Sequence, residues 1–123
     1  MDWKLELVQV PVSDVDRAIA FYTDQAGFNL DHDHQPSDDL RFVQLTPPGS
    51  GCSIAMGPPS EMAPGSLQGL QLVVPDIEAA HAELSGRGVE VGEIQDLPWG
   101  SFVFFKDPDG NGWAVQQVTP RNA

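Results

Sequence analysis

Val12-Ser13-Asp14-Val15-Asp16-Arg17-Ala18-Ile19-Ala20 recurs as Val74-Pro75-Asp76-Ile77-Glu78-Ala79-Ala80-His81-Ala82, 62 residues further along a 123-residue chain. Val12/Val74, Asp14/Asp76, Ala18/Ala80 and Ala20/Ala82 coincide. An offset of half the chain marks two copies of one supersecondary unit. Val15, Ala18, Ile19 and Tyr22 have the i, i+3, i+4, i+7 spacing of one helix face, and Ile77, Ala80, His81 and Leu84 repeat it. Asp14 and Asp76 are the predicted N-caps, because a carboxylate accepts the orphan N–H bonds of a first turn. Gly27 and Gly88 follow the helices, where a left-handed C-cap favours a residue without Cβ. The first copy is one residue longer at this point.

Strands flank each helix. Val8, Val10 and Val12 alternate with Leu5, Leu7 and Gln9, and Leu70, Leu72 and Val74 alternate with Gly69, Gln71 and Val73. The all-aliphatic sets are expected under the helices. Three more strands are predicted in each copy: about 28–34, 41–46 and 52–56, then 89–94, 101–106 and 112–118. Pro47-Pro48-Gly49-Ser50-Gly51 and Asp107-Pro108-Asp109-Gly110-Asn111 break the last two strands of each copy apart. The organisation is α+β: a single domain of two tandem βαβββ modules, about 1–57 and 67–123, joined by a linker over about 58–66.

Eighteen acidic against six basic residues give a formal net charge of −12. That field argues against nucleic acid and anionic membranes as partners, and it attracts cations. Plain solubility is the competing explanation. No apolar run approaches membrane-spanning length, and the charged stretch Met1–Leu7 does not resemble a signal peptide. The single Cys52 forms no internal disulfide, which fits a reducing compartment. A cytoplasmic protein is expected.

Val12-Ser13-Asp14 leading into a helix with Phe21-Tyr22, then Gly27-Phe28, resembles the entry of a vicinal oxygen chelate module. Phe105-Lys106-Asp107-Pro108-Asp109-Gly110-Asn111 resembles that superfamily's C-terminal turn. The superfamily includes glyoxalase, bleomycin-resistance and extradiol-dioxygenase proteins, and the likeness spans nearly the whole chain. It implies two curved four-stranded mixed sheets around a pocket, and a homodimer.

The resemblance also implies a divalent metal held by His, Gln or Glu, acting as Lewis acid or activating dioxygen. Carried over one position at a time, the ligands fall on Leu7, Gly69 and Ala114, and near Ser53 with a slip to Ala55. Leu, Gly and Ala offer no donor and Ser is a poor one. A one-residue slip would turn the side chains to the other face. A two-residue slip offers Gln9, Gln71 and Gln116, which are weak metal ligands and are expected either to line a polar pocket or to be solvated. No metal or other cofactor is therefore predicted.

His32 and His34 share a strand face, the arrangement of a metal pair, yet they run into the polar stretch Gln35–Asp39 and a solvated strand end is expected. His32 remains a candidate for the pocket. Arg41 has two readings, a ligand carboxylate or a surface ion pair. Phe102 and Phe104 share a face opposite Phe105, so one face is core and the other pocket. Trp99 is a candidate stacking surface, and Trp113 is expected under the second helix. The expected pocket is Leu7, Gln9, His32, Ser53, Gly69, Gln71, Trp99, Phe104, Ala114 and Gln116.

Two functions follow. One is a metal-free small-molecule binding protein of the bleomycin-resistance kind, sequestering a cationic aromatic drug or metabolite. The other is a lyase, isomerase or dioxygenase with atypical metal ligands such as His32 or His34, or with metal-free acid–base catalysis by Glu93 or Asp96. No catalytic constellation stands out in the sequence.

Overall fold

The computed structural model describes residues 1–121. The first module runs β1 (Leu7–Gln9), α1 (Val15–Ala20), β2 (Asn29–Ser37), β3 (Leu40–Thr46) and β4 (Ser53–Met56). The second runs β5 (Leu70–Val73), α2 (Ile77–Gly86), β6 (Gln95–Leu97), β7 (Gly100–Lys106) and β8 (Gly112–Gln117). The sheets have matching orders, β1-β4-β3-β2 and β5-β8-β7-β6. Each is mixed, with one parallel pair, β1 with β4 and β5 with β8.

The caps form as expected. The Asp14 carboxylate accepts from the Arg17 N–H at 3.0 Å. Asp76 accepts from Glu78 and Ala79 at 3.0 and 3.1 Å. The extra residue of the first copy has a structural explanation. α1 continues into a π-helical stretch, Phe21–Gln25, closed by the Ala26 N–H on the Phe21 carbonyl at 3.0 Å. A π-turn spans one residue more than an α-turn, so it absorbs the insertion. In the second copy the helix ends with Val89 N–H on the Leu84 carbonyl and Gly88 N–H on Ser85, at φ +86° for Gly88. These two bonds are the Schellman pattern.

Two local expectations are corrected. The predicted strand over 89–94 pairs only as Gln95–Leu97. Val89 is buried, and Val91 and Ile94 pack on the core, a spacing that breaks the two-residue alternation of a strand. Only the Gly92 N–H reaches β7, at the Phe104 carbonyl. Trp113, expected under α2, lies among first-module aromatics, 5.8 Å from Tyr22 and 5.5 Å from Phe28 between ring centroids. A buried indole needs a partner for its N–H, and the Tyr22 hydroxyl supplies it at 2.9 Å. One continuous core therefore joins the modules, running from Val10 and Val43 to Val103 and Val115. No helix among the described residues is long and apolar enough to cross a membrane.

Candidate functional site

Alternation on β7 divides its side chains between two environments. Val103 and Phe105 enter the core, and Phe105 stacks on Trp113 with ring planes 2° apart. Phe102, Phe104 and Lys106 take the opposite, open face. Phe102 and Phe104 lie nearly parallel, 7° apart with centroids at 6.0 Å, and Phe104 is 44% exposed. Register places Ala114 beside both Phe104 and Gln71, and Gln116 beside Phe102 and Val73.

A cavity of about 490 Å³ opens here. Gly69, Phe104, Ala114, Gln68, Glu90 and Lys106 line it, with Gly112 and the edge of the core at Phe105, Asp107 and Trp113. Of the expected pocket residues, Gly69, Phe104 and Ala114 meet at this cavity. Gln71, Gln116 and Trp99 form a chain along the same sheet. The Gln71 amide donates to Gln116 Oε1 at 2.6 Å, and Gln116 donates to the Trp99 carbonyl at 3.0 Å. The Trp99 side chain is 63% exposed.

Leu7, Gln9, His32 and Ser53 belong to the first sheet and do not line this cavity. Leu7 pairs with Ser53, Gln9 with Ala55 and His32 with Gln44. The Ser53 hydroxyl is engaged by Gln44 at 3.3 Å and by Thr46 at 2.7 Å, and Thr46 in turn bonds Asp31. His32 and His34 are exposed on β2, with rings stacked at 6.0 Å. They stand within a strand that continues to Ser37, not at a strand end as expected.

The positions that would hold the family metal do not fit one. Leu7 and Ser53 are neighbours across β1 and β4, but they offer a methyl-bearing chain and a hydroxyl already bonded twice. Gly69 has φ +88°, a backbone that His or Glu would adopt only with strain. Ala114 contributes a methyl. Among the described residues no three His, Cys, Asp or Glu side chains gather as a metal site. A divalent ion needs several imidazole or carboxylate donors.

Of the two acidic candidates, Glu93 is exposed on the irregular segment before β6, whereas Asp96 is tied into the scaffold. Asp96 accepts from the Ser101 hydroxyl and from Arg121, and these hold its carboxyl below the usual carboxylate range. Arg41 is the second of its two alternatives, an ion pair with Asp33 and Asp16. Asp107 takes three backbone N–H bonds on Oδ1, from Asp109, Gly110 and Asn111 at 2.9 to 3.0 Å. Its Oδ2 accepts from Tyr22 at 2.7 Å and from Asn111 at 2.8 Å. Burial, then the nearby Asp107 charge, pushes the Tyr22 phenol well above its ordinary range, so it stays protonated. Asn111 also donates to the Pro11 carbonyl at 2.8 Å. The Asp-Pro-Asp-Gly-Asn turn is thus a clasp between modules.

Lys106 and Glu90 are among the cavity residues outside the expected set. For Lys106 the signal was present, because it continues the Phe102, Phe104 alternation. For Glu90 it was not, because its segment forms no regular strand.

The comparisons agree with this architecture. A sequence model of the Glyoxalase/Bleomycin resistance protein/Dioxygenase superfamily matches residues 4–115. The chain belongs to this superfamily. Within it, the chain is similar to TnmS3, an antibiotic binding protein from Streptomyces sp. CB03234. The two are 39% identical with a TM-score of 0.86, over 96% of this chain and 98% of that one. A glyoxalase/bleomycin resistance protein from the same organism is 40% identical with a TM-score of 0.81, over 93% and 100% of the two chains. YetH of Bacillus subtilis (strain 168), an uncharacterized protein, is 32% identical over 89% of this chain and 94% of its own.

Proposed function

We propose that this superfamily member is a metal-independent binding protein that sequesters a small aromatic compound of antibiotic type. The observation that carries the reading is the cavity beside Phe104, which offers an aromatic face, holds Gly69 and Ala114 where a metal enzyme would place donors, and lies on the same sheet as the Gln71–Gln116 amide pair. Such a mix of apolar area and a few polar groups suits a small-molecule site. Likeness to an antibiotic binding protein supports the same class of ligand. The field of −12 draws cations in at long range, so it acts on the rate of encounter and not on which guest the cavity retains.

The protein acts as a cytoplasmic homodimer in this reading. The lining of the cavity comes wholly from residues 68–114, so the first module contributes no side chain to it. Trp3, Leu5, Val73 and Trp99 are exposed apolar side chains that a second copy would cover.

Fluorescence titration with phenylnaphthylamine, a neutral aromatic probe, tests the function. Saturable binding at one site per chain is expected, weakened about fivefold by Phe104→Ala through loss of stacking area. Absence of saturable binding, or indifference to Phe104→Ala, would remove the basis of the reading.

A further inference from the structure

We infer that the guest carries an acidic group, a carboxylate or acidic phenol on an aromatic frame, and that Lys106 is the residue that selects it. The inference rests on the binding reading above and refines its ligand.

The chain has six basic residues among eighteen acids. All four arginines are spent on carboxylates: Arg17 on Asp109, Arg41 on Asp16 and Asp33, Arg87 on Glu83, and Arg121 on Glu78 and Asp96. Lys106 makes no ion pair among the described residues, although two carboxylates line the same cavity. Asp107 is unavailable to it, because both its oxygens are filled by backbone, Tyr22 and Asn111 donors. Glu90 stands in the lining with no hydrogen-bond partner among the described residues.

Lys106 shares its face with Phe104, two residues away on an extended strand, and both line the cavity. A planar ligand lying along Phe104 would bring an acidic substituent within reach of Lys106. Long-range attraction and local fit then have opposite signs. The net charge governs encounter, whereas the unpaired cation in the lining governs which guest stays. Glu90, in the same lining, repels an acidic guest and sharpens the choice toward one with a single acidic group.

Three probes separate the possibilities: anilinonaphthalene sulfonate, phenylnaphthylamine, which has the same rings without the sulfonate, and cationic acridine orange. Each is titrated against the wild type, Lys106→Met and Glu90→Gln. Lys106→Met keeps an apolar stem of similar length, and both positions are exposed, so folding is expected to persist and is checked by thermal melting. The inference expects the sulfonate to bind more tightly than the neutral probe. It expects Lys106→Met to weaken the sulfonate about fivefold, and Glu90→Gln to tighten it about twofold, the scale of exposed charge pairs. The neutral probe should respond to neither change. Equal loss of both probes in Lys106→Met, or tightest binding by acridine orange, overturns the role of Lys106 and leaves the binding reading intact. Failure of every probe on the wild type overturns both.

Discussion

The Tyr22 hydroxyl donates to Asp107 and accepts from the Trp113 indole, so one oxygen of the first module holds two residues of the second. Tyr22 is fully buried. Removing its hydroxyl strands the indole N–H and takes one donor from the Asp107 carboxylate. A buried group left unpaired costs its full desolvation penalty. Tyr22→Phe should therefore lower stability by about 2 kcal/mol, read as a shifted urea midpoint. An unchanged midpoint would mean the hydroxyl is dispensable to the seam. Sequence spacing marked Tyr22 as a helix-face residue and Asp107 as a turn residue. Their meeting, 85 positions apart, has no local signature. Lys106 was different: its alternation with Phe102 and Phe104 was legible, but its lack of a partner depends on where every carboxylate ends up.

At the scale of elements, the legible features were those with short-range causes. The repeat, both N-caps, the left-handed glycines and strands β7 and β8 follow from spacing and residue type. The shift of the sixth strand does not, because Val89, Val91 and Ile94 answer to the core rather than to a ladder partner. The seam between α1 and the β7–β8 turn is also long-range. Asp109 accepts from the Ser13 backbone at 3.1 Å and its hydroxyl at 2.6 Å, and pairs with Arg17 at 3.3 Å. Desolvation pushes its carboxyl up, but the Ser13 and Arg17 contacts together outweigh it and leave it below the usual range. A depressed folded value stabilises above the unfolded value, about 3.9, and the contribution is lost as pH falls through the folded one. Asp109→Asn should thus be less stable than wild type at pH 7 and converge with it toward about pH 2. Denaturant titrations across that range check it, and a gap that persists in acid would contradict it.

For the whole molecule, the two sheets share one core while each leaves a face open. The ten expected pocket residues divide accordingly: Leu7, Gln9, His32 and Ser53 lie on one sheet, Gln71, Phe104, Ala114 and Gln116 on the other, and Gly69 and Trp99 just before β5 and β7. Alternation placed Leu7, Gln9, Gln71, Phe104 and Gln116 on strands, while Gly69, read as a strand residue, precedes β5. Alternation could not fix whether the two halves meet within a chain or between chains, because that depends on packing across the seam. Sedimentation equilibrium should give twice the chain mass, with Trp3→Asp shifting the population toward monomer through a charge placed in the covered face. A monomer at all concentrations would contradict the proposed homodimer.

We propose that Leu7, Ser53, Gly69 and Ala114 stand where metal-dependent members of the superfamily place their donors, and that the protein holds no resident metal. Elemental analysis of protein purified without a histidine tag or chelator tests it most directly. Less than about one-tenth of an equivalent of nickel, zinc, iron or manganese per chain is expected. About one equivalent, removed by chelation together with the binding of phenylnaphthylamine, would contradict it.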